Sequence, residues 1–199
     1  MDHRGDRRPS RRPGRGTGER SGDDQGHRPA EGYYYTRLFT DAALAVEAAS
    51  ELTGAPRVAV SGASQGGGLA LATAALVPQA VAVCHADVPF LCDIQRGITL
   101  APEAPYTEVA EFLAHNVDLI PAALDTLRYV DCALLARRIT ARCLLSVGLM
   151  DTICPPSTVF AAYNEIAAGK DIAVHPFTGH QVPTAHVERQ LRHLRDFLR

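Results

Sequence analysis

Only three residues, Gly62-Ala63-Ser64, separate a short β-branched run from a run of small apolar residues, and that spacing constrains what the whole chain can become. Arg57 to Ser61 (RVAVS) is apolar, brief and bounded by Pro56 and Gly62, the pattern of a buried strand. Gln65 to Leu76 is rich in Ala, has helical length and is closed by Pro78. A buried strand that passes so abruptly into a buried helix is the opening of a βα unit, and such units build parallel sheets.

The rest of the chain repeats the alternation. Upstream, Leu38, Ala42, Ala45, Val46, Ala49 and Leu52 recur at helical spacing and Gly54 supplies a stop, so Thr36 to Thr53 is expected to form an amphipathic helix. Downstream, Ala80 to Cys84 reads as a second strand, and Asp93 to Arg138 as mostly helical with breaks near Pro102, Pro105 and Pro121. Cys143 to Val147 reads as a third strand, Ser157 to Ala168 as a helix, Ile172 to His175 as a fourth strand and Ala185 to Leu198 as a terminal amphipathic helix. The expected fold class is α/β, a parallel sheet flanked by helices on both faces.

Order is not expected throughout. From Asp2 to Pro29 there is no aliphatic residue and no Phe, Tyr or Trp, so the segment cannot bury enough apolar area to offset the entropy of ordering it. Met1 to Ala30 carries eight Arg against five acids, whereas Glu31 to Arg199 carries twelve bases against seventeen acids. Residues 1–32 are therefore expected to be a disordered Arg/Gly/Pro-rich basic tail and residues 33–199 a single domain. A nucleic-acid-binding arm is the competing reading of the tail, but acids interleave its arginines and it has no aromatic for bases to stack on. The formal net charge of −2 adds no pull toward nucleic acid or membrane.

No apolar stretch approaches the ~18 residues of a spanning helix, and the Arg-rich start lacks the apolar segment of a secretory leader. A cytoplasmic location is expected. The five Cys (Cys84, Cys92, Cys132, Cys143 and Cys154) are odd in number, lie in apolar segments and form no C-x-x-C pair, so buried thiols are expected rather than disulfides or a zinc knuckle.

Gly62-Ala63-Ser64-Gln65-Gly66 fits G-x-S-x-G in the strand-turn-helix context that the motif requires. Such an elbow strains its Ser and exposes Oγ beside the positive end of a helix, and both flanking glycines, Gly62 and Gly66, are expected to be needed because a Cβ would collide with the neighbouring strand and helix. The backbone N–H of Gln65 would face an oxyanion. An elbow Ser needs a base and an orienting acid, expected after later strands in the order acid, then His. Asp151 lies in the turn that follows Cys143 to Val147, and His180 follows the strand that ends near His175. Asp87 follows a different strand, and Asp171 precedes rather than follows its own. Of the other histidines, His3 and His27 lie in the tail, His175 lies in a strand, His85 and His115 read as core or surface groups, and His186 and His193 are expected to face solvent from the last helix. No H-E-x-x-H or comparable spacing suggests a metal, and Gly66-Gly67-Gly68 is not followed by the Lys-Ser/Thr of a phosphate loop.

From Tyr33 onward the chain resembles the acetyl xylan esterases and cephalosporin C deacetylases of the α/β-hydrolase superfamily. The run Ser61-Gly62-Ala63-Ser64-Gln65-Gly66-Gly67-Gly68 is similar to that family's G-S-Q-G-G-G signature, and Asp87-Val88-Pro89-Phe90-Leu91 to the segment after its next strand. Asp151-Thr152-Ile153-Cys154-Pro155-Pro156-Ser157-Thr158-Val159-Phe160-Ala161-Ala162-Tyr163-Asn164 resembles its acid loop and following helix almost residue for residue. The resemblance implies Ser64 as nucleophile, Asp151 as acid and His180 as base, the three residues already selected.

There are two departures. Gln181 stands where the family usually has Glu after its His, and similarity is faint before Tyr33, where only Asp2-His3-Arg4-Gly5 resembles a family motif. The family's first strands and its second oxyanion donor, a Tyr backbone N–H, are therefore expected to be absent from this chain. The function implied is a serine esterase that deacetylates acetylated xylo-oligosaccharides or cephalosporin C-like acetyl esters, with a small acetylated molecule as partner, no cofactor and no metal. The resemblance also implies a homo-oligomer. The alternatives are a crippled fragment or pseudo-hydrolase serving as a binding module, and a peptidase or thioesterase on the same scaffold.

Overall fold

The computed structural model describes residues 32–197; the expected tail, except Gly32, lies outside the described residues. In chain order the elements are α1 (Tyr34–Thr53), β1 (Val58–Ala63), α2 (Gln65–Leu76), β2 (Val81–Asp87), α3 (Ile94–Leu100), α4 (Tyr106–His115), α5 (Ile120–Arg128), α6 (Cys132–Leu135), β3 (Arg142–Gly148), α7 (Pro156–Glu165), β4 (Lys170–His175) and α8 (Thr184–Phe197). The strands form one parallel sheet in the order β1-β2-β3-β4, so all four carboxyl ends meet at one rim. No described helix is long and apolar enough to cross a membrane.

The elements follow the sequence pattern, with α2 matching it to the residue. The first two strands run two and three residues further than their apolar patterns, through Gly62-Ala63 and through His85-Ala86-Asp87, because their backbone groups find ladder partners on the adjacent strand. Asp171 lies inside β4 rather than ahead of it. The expected break near Pro121 is the boundary between α4, which ends at His115, and α5, which begins at Ile120; Pro121 occupies the first turn of α5, where its missing N–H has no acceptor to lose.

The two faces of the sheet differ in chemistry. Alternate residues point to opposite faces. Cys84, Ala86, Cys143, Leu145 and Val147 join the apolar core with Leu71, Ala74 and Ala75 of α2, Cys132 and Ala136, and Val159 and Ala162 of α7. His85, Asp87 and Ser146 point the other way, toward α8. On β1 the residues that share this second face, Ala59, Ser61 and Ala63, are exposed.

α8 packs on this second face with its polar side, which reverses the expectation for its histidines. His186, Gln190 and His193 are buried, at 2%, 9% and 8% exposure, while Val187 and Leu191 are 43% and 50% exposed. The physical reason is Asp87: its buried carboxylate accepts from Ser146 Oγ, His186 Nε2 and Gln190 Nε2, each at 2.8 Å, so the side of α8 that satisfies it must turn inward. His193 Nδ1 lies 3.0 Å from His85 Nε2, and the His175 and His186 rings meet edge to face.

This histidine cluster makes stability depend on pH. Burial and the neighbouring His193 push His85 down to about 4, and burial likewise lowers His175 and His193. An unfolded imidazole takes its proton near pH 6.5. Between about 6.5 and 4 the unfolded chain therefore binds protons that the folded chain refuses, so stability is complete above that window and declines as pH falls through it. Urea midpoints at pH 7 and pH 5 test this. The wild-type chain should lose more stability than His85→Gln over that interval, and equal losses would contradict the account.

Candidate active site

Ser64 sits between β1 and α2 with φ 55° and ψ −118°, a conformation that costs a non-glycine residue about 1–3 kcal/mol. Backbone bonds to the neighbouring segment hold it there. Ser64 N–H donates to Asp87 O at 2.9 Å, and Ser64 O accepts from Phe90 N–H at 2.9 Å and Gly68 N–H at 3.0 Å. The bond from Gly68 is the first complete turn of α2, so the N–H groups of Gln65, Gly66 and Gly67 have no acceptor within the helix. They give the rim beside Ser64 a positive potential. The Gln65 side chain is directed elsewhere, donating from Nε2 to Tyr35 Oη at 3.2 Å.

The two elbow glycines are not equivalent. A Cβ on Gly62 would lie 2.3 Å from Gly66 O and 2.4 Å from Gly66 C, an overlap with backbone that no side-chain movement relieves. A Cβ on Gly66 would meet nothing within 4 Å. The expected collision thus holds for Gly62 and is corrected for Gly66: β1 folds back onto the helix at Gly62, whereas the Cα of Gly66 points into open space.

Asp151 and His180 are brought together by two turns joined through their backbones. Asp151 ends the turn after β3; its Oδ1 accepts from Ile153 N–H and Cys154 N–H, both at 2.9 Å, which fixes the carboxylate and leaves Oδ2 for His180. The next strand ends in the loop that bears His180. Leu149 N–H donates to His175 O and Met150 N–H to Thr178 O, each at 3.0 Å. The contact needs Gly148, where a Cβ would sit 2.3 Å from Gly179 O and 2.5 Å from Thr178 O.

The outcome is a continuous relay. His180 Nδ1–H donates to Asp151 Oδ2 at 2.8 Å, and Ser64 Oγ–H donates to His180 Nε2 at 2.8 Å. The Asp151 side chain is fully buried, whereas the His180 side chain is 20% exposed. A buried acceptor on Nδ1 presents the bare Nε2 to the serine, the tautomer that a general base requires. The structure therefore brings Ser64, Asp151 and His180 together, with Gln65 N–H at the adjacent helix end. What sequence reasoning missed was Asp87, set aside for its strand, and the inward turn of His186; the one available signal was the i, i+4, i+7 spacing of His186, Gln190 and His193. Among the described residues no three or more His, Cys, Asp or Glu come together in a metal-binding arrangement.

The glycine geometry yields a direct test. Gly62→Ala should cost more than about 3 kcal/mol in urea unfolding, because backbone must move. Gly66→Ala, inside the first turn of a helix, should change stability by less than about 1 kcal/mol and in the stabilising direction. Similar losses in the two variants would show that the elbow is packed differently.

A family model for acetyl xylan esterase matches residues 1–197. Acetyl esterase Axe7A of Xylanibacter ruminicola is 31% identical over 156 residues, which is 75% of this chain and 34% of that protein. Among solved structures, the acetyl xylan esterase from Paenibacillus sp. R4 is 33% identical with a TM-score of 0.78, over 84% of this chain and 54% of that one. Acetyl xylan esterase 1 from Thermoanaerobacterium sp. JW/SL YS485 is 36% identical with a TM-score of 0.77, over 88% and 56%. The chain thus spans about half the length of these solved relatives and a third of Axe7A. With its α/β-hydrolase sheet, its elbow and this family match, the chain belongs to the acetyl xylan esterase family.

Proposed function

We propose that the chain is a serine esterase that removes acetyl groups from acetylated carbohydrates, with acetylated xylo-oligosaccharides the first substrate class and cephalosporin C-type acetyl esters the second. The observation that carries this reading is the relay of two 2.8 Å hydrogen bonds from Asp151 through His180 to an elbow serine. The acetyl specificity rests on the relatives, whose names are acetyl esterase and acetyl xylan esterase.

In this mechanism Ser64 Oγ attacks the acetyl carbonyl as His180 Nε2 takes its proton. Asp151 holds the Nδ1–H tautomer and stabilises the imidazolium that forms. The tetrahedral oxyanion develops beside the α2 N-terminus, where Gln65 N–H donates to it. His180 returns the proton to the leaving alcohol oxygen, which frees the sugar hydroxyl and leaves Ser64 acetylated. A water molecule then gives a proton to His180 and attacks the acetyl carbon; as the bond from Ser64 Oγ to that carbon breaks, His180 returns the proton to Oγ, which releases acetate and restores Ser64. Each oxyanion donor contributes about 10²–10³ in rate, so a single donor would give a slow enzyme.

Hydrolysis of p-nitrophenyl acetate by the full chain tests the proposal. Ser64→Ala and His180→Ala should each lose about 10⁶ in kcat, keeping only the residual rate due to binding and the oxyanion site, and Asp151→Asn, which permits the wrong tautomer, should lose about 10⁴. Hydrolysis undiminished in Ser64→Ala would overturn the mechanism. A folded chain with no Ser64-dependent turnover would favour the non-catalytic module.

A further inference from the structure

Outside the triad, the residue with the greatest concentration of unexplained chemistry is Asp87. It ends β2 with a side chain 6% exposed, and its carboxylate accepts three hydrogen bonds from two different elements. Ser146 Oγ comes from β3, two residues before the Gly148 turn that bears Asp151. His186 Nε2–H and Gln190 Nε2–H come from consecutive turns of α8. The same residue's backbone oxygen accepts the N–H of Ser64 at 2.9 Å. Asp87 therefore touches each arm of the relay: the serine's own backbone, the strand that leads to Asp151 and the helix that follows His180.

The link to His180 is short. Only Gln181, Val182 and Pro183 lie between His180 and the start of α8, and Pro183 O accepts His186 N–H at 2.8 Å. A shift of α8 along or away from the sheet is transmitted through those three residues to the imidazole. Cohesion alone does not account for this arrangement, since well-packed apolar residues of similar volume hold a helix to a sheet as well as or better than a buried carboxylate with its desolvation cost. Apolar contacts tolerate sliding, whereas three directional bonds from two different elements to one carboxylate fix a position.

We propose that Asp87 is a positioning residue for the triad, its carboxylate setting the height of α8 and hence the distance from His180 to Ser64 and Asp151. The inference rests on the esterase reading above. Asn at this position retains one acceptor oxygen and introduces an NH₂ opposite donors, so α8 loses its fixed seat while the volume of the side chain is unchanged.

The test compares the wild-type chain, Asp87→Asn and Gln190→Met well below their melting midpoints, with two readouts. The first is kcat and KM on p-nitrophenyl acetate; the second is the downfield proton resonance of His180 Nδ1–H bonded to Asp151, which reports the relay without turnover. In folded Asp87→Asn, kcat should fall about 10- to 10²-fold with KM changed less than two-fold, and the resonance should broaden or vanish. Gln190→Met, which leaves Ser146 and His186 on the carboxylate, should lose several-fold in kcat and supplies the answer if Asp87→Asn does not fold. A folded variant with wild-type kcat and an intact resonance overturns the positioning role and leaves the esterase reading standing. A wild-type chain with neither turnover nor the resonance overturns both.

Discussion

The strained backbone of Ser64 is the constraint on which the other parts of the site depend. At φ 55° and ψ −118° it relaxes unless both of its peptide groups are held, and they are held by Asp87 O on one side and by Phe90 N–H and Gly68 N–H on the other. Those bonds exist only because β1 and β2 run parallel in a register that pairs Ala63 with Asp87, so the end of one strand lies beside the turn that leaves the other. Parallel pairing of β2 with β3 and of β3 with β4 then carries the Asp151 and His180 turns to the same rim. Local strain at one serine and the topology of the sheet are two descriptions of one arrangement.

The elements that were legible in the sequence are those whose signals are local. Gly62, Ser64 and the small residues of α2 announce a sharp strand-to-helix turn, and Asp151 and His180 stand out because each follows an apolar run that reads as a strand. The terminal helix was not legible in the same way. Hydropathy turns Val187 and Leu191 inward and His186 and His193 outward, whereas in the structure a buried carboxylate on a distant strand outweighs the two aliphatic side chains. A polar group's demand for partners is set by what lies across from it, and no window along the chain contains both Asp87 and Gln190. Gly66 failed for a related reason: the motif marks it as small, but only coordinates show that its Cα points into empty space.

The second face of the sheet joins the fold to the chemistry. One half of it is closed by α8 through polar contacts, and the other half, at Ala59, Ser61 and Ala63 of β1, is open. Among the described residues β1 is also the outer strand of the sheet, and it leads directly into Ser64. The solved relatives, identical to this chain at about a third of the aligned positions, have only 54% and 56% of their own length covered by it. The triad is nonetheless assembled from residues between Ser64 and His180, all within the described part of the chain.

The central claim is that Asp151, His180 and the elbow of Ser64 form one activated nucleophile. The most direct measurement is intact-mass and peptide-mass analysis of the full chain after exposure to a fluorophosphonate, which marks only a serine made nucleophilic by a neighbouring base. One label per chain on Ser64, absent in His180→Ala although that variant stays folded, is the result this account predicts. Labelling that is spread over other serines, or that persists undiminished in His180→Ala, would contradict it.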